Sequence, residues 1–378
     1  MSPPGRPKDE YRSAPHEGTP ASPPGRPKDE YRSAPHEGAP ASPPGRPKGE
    51  HRSAQHEGTP ASAPADRPTG TWTAERERSN RWALRLMRWI AIGAGRPAAR
   101  LVLHPITLYF LLVHGRARRA SMNYLVRVLG RPVRWADAYR HIHHFAATIL
   151  DRIYFLQERF EAFDVTSTGA DALHAPLARG EGVMLVGAHL GSFEALRASA
   201  QARGARVAML MYEDNARLIN ATLAAVAPNA SLHTIALGRP GAMLALRHWL
   251  DEGGLAGLLA DRTLPGRKDR SRTVRIDFLG QPARFSDGPF RLAAMLQRRV
   301  VFMAGLYHGG HRYELRFAEL ADFRAQAGTG GLDLDQRVQA ALRRYVALLE
   351  SLCRESPYNW FNFFDFWADD AAAETAPP

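Results

Sequence analysis

Beyond Gly180 the hydrophobic positions gather into short runs at 183–186, 206–212, 232–237, 255–260, 274–279, 300–307 and 313–317, each bounded by polar or glycine-containing turns. Runs of that length read as strands. Helix-length amphipathic segments separate several of them, at 194–203, 216–226, 241–252 and 289–297. The alternation predicts an α/β fold with a mixed, partly parallel sheet flanked by helices, the later and closer strands being antiparallel. Ahead of this region, 120–160 reads as helical, and 101–113 (LVLHPITLYFLLV) is almost unbroken in its apolar character. From Trp72, Arg78, Arg81, Arg85 and Arg88 recur at helical spacing, with Leu84, Leu86, Met87 and Ile90 on the rest of the circumference and Trp82 and Trp89 at the boundary. That is the pattern of an interfacial helix. A helix packed on its own domain with a solvated Arg face has the same spacing.

The first sixty-one residues have no such pattern. They are three near-copies of one twenty-residue unit, beginning at Ser2, Ser22 and Ser42, the third drifting at Gly49, His51 and Gln55. Each copy holds at most one aromatic and no aliphatic run, so stacking buries too little to offset the ordering entropy. A disordered tail without a part in the chemistry is expected, and no secretory h-region is visible in it. The domain reading is therefore a repeat tail and linker over 1–71, basic membrane-associating helices over 72–135, an α/β domain over 136–368 and a disordered end over 369–378.

Charge sharpens the N-terminal half of this picture. The chain carries a net +12 with a pI near 10.2, which calls for an anionic partner. The repeats contribute almost none of it, with nine Lys and Arg against eight acids; residues 76–140 hold fourteen Arg against two acids, Glu77 and Asp137. The apolar run at 101–113 is shorter than the roughly twenty residues of a span, and extending it backwards buries Arg96 and Arg100. A monotopic insertion held by anionic head groups fits better, with a single span as the alternative. The arginines lie beside an apolar run and not within a recognisable binding module, which disfavours nucleic acid as the partner. The single cysteine, Cys353, excludes an intramolecular disulfide framework and reads as part of a helix face. His141, His143 and His144 are poorly spaced for metal ligation from a helix, and no metal or cofactor is expected.

In a parallel α/β sheet the site lies at the carboxyl ends of the strands. Those ends collect His189, Glu213 and Asp214, Gly238 and Arg239, and Asp261 and Arg262. The strongest local signal is the strand-turn-helix segment holding His189-Leu190-Gly191-Ser192-Phe193-Glu194. With His189 in the turn, Glu194 in the first helical turn reaches back to one ring nitrogen and leaves the other as a base, a triad lacking a protein nucleophile. The nucleophile is then a substrate hydroxyl or amine. Gly191 and Ser192 are candidate substrate contacts at the helix start, where free N–H groups hold an anion or oxyanion. Arg239, Asp261 and Arg262 are further candidates from the strand-end argument. A histidine beside a helix N-terminus with a nearby Glu is the purely structural alternative. No G-x-S-x-G elbow occurs, and Ser192 is too close to His189 for a standard nucleophile. A membrane-associated esterase is nevertheless the nearest enzymatic alternative.

The segment resembles the His-x-x-x-x-Asp/Glu motif of glycerolipid acyltransferases, and its setting is similar to that of the bacterial lipid A late acyltransferase family, which uses Glu in the acidic position. The resemblance extends over roughly 80–367 and includes Ala260-Asp261-Arg262, Phe278-Leu279-Gly280, Asp287-Gly288-Pro289 and the aromatic segment Pro357-Tyr358-Asn359-Trp360-Phe361-Asn362-Phe363. It implies an O- or N-acyltransferase that moves a fatty acyl group from an acyl-carrier-protein or coenzyme A thioester to a lipid or glycolipid. It also implies His189 as base, Glu194 as its orienting acid, no metal, and a place on the cytoplasmic face of a bacterial inner membrane. A Pro-Glu-Gly block, frequent in glycerolipid members, is absent from the sequence.

Overall fold

The computed structural model describes residues 93, 95–212, 233–262, 273–324 and 333–367. The repeat tail, nearly all of the cationic segment from Trp72, the helix expected at 216–226, Glu213, Asp214 and the C-terminal end expected at 369–378 lie outside the described residues.

Three helices come first: α1 (Gly95–Val113), α2 (Gly115–Leu129) and α3 (Trp135–Leu156). The apolar run is thus the greater part of α1, with Pro105 inside it. α1 and α2 meet at 95° at His114, and no single helix among the described residues is long and apolar enough to cross a membrane. Gly130 ends α2 in the left-handed conformation, returning its N–H to Val126 O. Asp137 starts α3 by accepting from the backbone N–H of Arg134 at 2.9 Å.

The α/β part runs β1 (Asp164–Thr168), α4 (Asp171–Ala178), β2 (Val183–Gly191), α5 (Phe193–Ala202), β3 (Val207–Tyr212), β4 (His233–Leu237), α6 (Ala242–Asp251), β5 (Leu255–Leu259), β6 (Thr273–Phe278), β7 (Gln281–Ser286), α7 (Gly288–Met295), β8 (Arg299–Tyr307), β9 (Arg312–Asp322) and α8 (Leu334–Glu355). Seven strands form one sheet in the order β1-β9-β8-β2-β5-β3-β4. From β8 to β4 the neighbours are parallel, β9 is antiparallel to β8, and β1 is parallel to β9. The mixed, partly parallel sheet expected from the sequence is therefore present, with most of its pairings parallel. β6 and β7 form a separate antiparallel hairpin, closed by Leu279 and Gly280, both at positive φ as a two-residue turn of matching twist requires. β1 was not expected, because all five of its residues are exposed and an edge strand without a buried face shows no apolar alternation.

β2 is buried on both faces, and its successive side chains divide the core. Met184 and Val186 point to one side with α2, α8 and the hairpin; Val183 and Leu185 point to the other with α1, α3 and α5. Ala99 and Leu103 of α1 and Leu150 of α3 belong to that second cluster, so the basic helical region shares its core with the sheet. Only a stripe of α1 is used: Ala99, Leu103, Thr107 and Leu111 are buried, while Leu101, Leu108, Tyr109, Phe110, Leu112 and Val113 are exposed.

Candidate active site

His189 stands where β2 leaves regular pairing. Gly187 pairs with Met303 of β8 and Gly191 with Gly305, so Ala188, His189 and Leu190 face the single residue Ala304. Such a bulge re-aims a side chain at a strand end. Gly191 closes it at φ +73, and a Cβ there would come within 1.9 Å of Gly305 O, so only glycine fits. Its N–H donates to Asn359 O at 2.9 Å. Ser192 is buried and caps α5, its Oγ accepting from Ala195 N at 3.2 Å. The two positions expected to contact substrate thus have structural tasks, holding the bulge and starting the helix.

The acid on the histidine ring is Asp261. β5 lies beside β2 with Leu259 opposite Gly187. Two residues further on, Asp261 reaches His189: Oδ1 is 2.9 Å from Nδ1, and Oδ2 accepts the His189 backbone N–H at 3.0 Å. The indole N–H of Trp360 donates to the same Oδ2 at 2.9 Å. Burial alone raises the Asp261 carboxyl, but the charge of His189 and these hydrogen bonds outweigh it and hold the group below its ordinary value. A carboxylate only accepts, which assigns the proton to Nδ1 and leaves the Nε2 lone pair free. Nε2 has no hydrogen-bond partner among the described residues, and the His189 side chain is 31% exposed.

Glu194 is placed differently from the expectation. It sits in the first turn of α5, and its carboxylate pairs with Arg152 Nε of α3 at 2.7 Å. The physical reason is strand order: β5 beside β2 delivers a buried carboxylate to Nδ1, while α5 packs against α3 and directs its first turn to Arg152. Arg262, directly after Asp261, donates to Phe361 O at 3.2 Å and lies over the Phe364 ring at 5.3 Å. Burial lowers its pKa, with Asp261 acting in the opposite sense. Arg239 follows β4, which β5 and β3 separate from β2. At about 4.8 Å per strand, β4 and β2 are roughly 14 Å apart across the sheet.

The C-terminal aromatic segment supplies the parts that reasoning from the sequence did not assign. It lies along the end of β2 as a strap: Leu190 bridges Trp360 in antiparallel fashion, and Phe361 N–H donates to His189 O at 2.7 Å. Asn359 Oδ1 accepts from Tyr307 N and its Nδ2 donates to Tyr307 O, at 2.8 and 3.0 Å. Buried His141 joins Ser121 Oγ to Trp360 O, each at 2.8 Å. Burial holds this imidazole down at about 4; it is a neutral bracket for the strap. Phe145 meets Phe361 and Phe363 edge to face beside it. The sequence marked the strap by its density of aromatic residues and by its part in the family resemblance, without assigning any of its residues a task. Cys353 is buried in α8, and burial pushes its thiol up, as suits an inert core residue.

An oriented histidine with one open nitrogen and a cation at the adjoining strand end can deprotonate a nucleophile carried by a substrate. No individual curated protein matches the chain. Residues 80–368, which contain every one of these groups, match the family described as bacterial lipid A biosynthesis acyltransferase. The chain therefore belongs to that family of acyltransferases.

Proposed function

We propose that the protein transfers a fatty acyl group from an acyl-carrier-protein or coenzyme A thioester to a hydroxyl or amine of a lipid or glycolipid, with His189 as general base and Asp261 as its orienting acid. The observation that carries this reading is the His189 ring held at Nδ1 by Asp261 with Nε2 open. The acceptor gives its proton to Nε2 as its O or N bonds to the thioester carbon. The tetrahedral intermediate then expels the thiolate, which takes the proton back from the imidazolium. Ionised Asp261 stabilises the imidazolium between these steps. Arg262, at the adjoining strand end, is a cation suited to the charge on the intermediate's oxygen.

The lipid acceptor agrees with the exposed apolar side of α1, which leads directly into Arg116 and Arg119 at the start of α2. We place this face on the anionic cytoplasmic surface of a bacterial inner membrane, inserted from one side. His189→Ala is expected to lower transfer of a radiolabelled acyl group by about 10³-fold or more while the protein stays folded and membrane-bound. Normal turnover by that variant would remove His189 from the chemistry.

A further inference from the structure

A second group of polar atoms lies on the same rim of the sheet, in the seam where α1 packs on α3 near the end of β8. Arg100 Nη2 donates to Tyr307 Oη at 2.6 Å, whereas Arg100 Nη1 is buried without a hydrogen bond among the described residues, 3.9 Å from Asp151 Oδ2. Asp151 is already engaged: it accepts two 2.8 Å hydrogen bonds from Arg96 and one from Tyr313 Oη. Two further buried nitrogens, His143 Nε2 and His144 Nδ1, have no hydrogen-bond partner among the described residues either. The His144 ring meets Tyr307 edge-on at 5.1 Å, so His144 and Arg100 share one tyrosine, while the neighbouring His143 ring stacks on His104 of α1 at 4.8 Å.

Three unpartnered nitrogens in one seam are costly to bury. Two guanidinium groups against one carboxylate also leave a positive surplus there. A ligand that is anionic and offers several acceptor oxygens answers both, and an arginine with imidazoles presenting N–H donors is a suitable cradle for phosphate. Burial pushes both rings below the ordinary histidine range, and the neighbouring Arg100 adds to this. A bound anion would reverse that balance. We propose that Arg100, His143 and His144 form a phosphate-binding subsite that takes the phosphate ester of a substrate. Tyr307 also links it to the site described above, since its backbone N–H and C=O are both held by Asn359, whose own carbonyl accepts from Gly191. That the phosphate belongs to a substrate rests on the acyltransfer reading; the anion binding itself does not.

The test is titration of the full chain in neutral detergent with inorganic phosphate, following the ring nitrogens of ¹⁵N-labelled histidine. The His143 and His144 signals are expected to move and saturate, and Arg100→Gln is expected to weaken binding about tenfold or more, equivalent to about 1.4 kcal/mol. If Arg100→Gln does not fold, His143→Gln serves the same comparison. Rings that do not respond, or equal affinity in wild type and variants, overturn the subsite. Competition then identifies the source. Displacement by phosphopantetheine but not by pantetheine assigns the phosphate to the acyl donor. Displacement by dihexanoyl phosphatidic acid but not by dihexanoylglycerol assigns it to a lipid head group. Full activity of His189→Ala would defeat the acyltransfer mechanism and leave this titration untouched.

Discussion

At His189 one atom decides the chemistry, since a base needs its lone pair on the nitrogen that faces the substrate. Asp261 fixes this by accepting the hydrogen bond of Nδ1–H, and Trp360 fixes Asp261. Asp261→Asn keeps the shape but permits the opposite tautomer, so a loss of about 10³- to 10⁴-fold in kcat is expected. Glu194→Gln breaks a partly exposed pair with Arg152 and is expected to cost less than about tenfold. Side-by-side kinetics of the two variants checks this, and the opposite ranking would return the orienting role to Glu194. His141 makes a separate statement about pH. Its folded pKa, about 4, lies below the roughly 6.5 of an unfolded histidine. The stability it contributes is therefore complete above about pH 6.5 and declines as the unfolded chain takes up a proton that the folded protein refuses until about pH 4. The full loss is about 3 kcal/mol. His144 is depressed by burial in the same way. Denaturant melts between pH 7 and 5, above most carboxylate titration, should show the decline, with a shallower slope in His141→Gln.

Elements differ in how openly the sequence displays them, because burial writes the pattern. β2, β5 and β8 are interior strands and read as continuous apolar runs. β1, wholly exposed, has no such run. The strap has no repeating pattern at all, since most of its hydrogen bonds go to β2 and β8 and not into a regular ladder of its own. α1 is the opposite case: its apolar run is plain in the sequence, but which side packs and which side remains bare depends on the position of α3 and the sheet. The bare side carries the membrane expectation. Leu108→Glu and Leu112→Glu, both at exposed positions, are expected to reduce binding to anionic vesicles roughly tenfold or more each, since a buried leucine is worth about 1.5–3 kcal/mol. Co-sedimentation measures it, and undiminished binding would place the membrane contact on another element.

For the molecule as a whole, charge and core are distributed unevenly along the chain. The repeats over 2–61 add almost nothing to the net +12 and carry no aliphatic run, so deleting them is expected to leave transfer activity and vesicle binding unchanged. A large loss in either assay would show that the tail takes part. The sequence by itself determined the α/β class, most of the strands, the position of His189 at a strand end and, through residues 80–368, the family. These are local quantities, set by periodicity and by residue types at short spacing. It also placed Asp261 and Arg262 on the site's edge, but only as two of several strand-end residues. Only the tertiary structure decided that Asp261 is the acid on His189 while β4, which Arg239 follows, lies three strands from β2, and that the strap's indole steadies that acid. The reason is that strand order and register bring together residues 72 and 99 positions apart in the chain. Spacing along a sequence carries no record of which strands become neighbours.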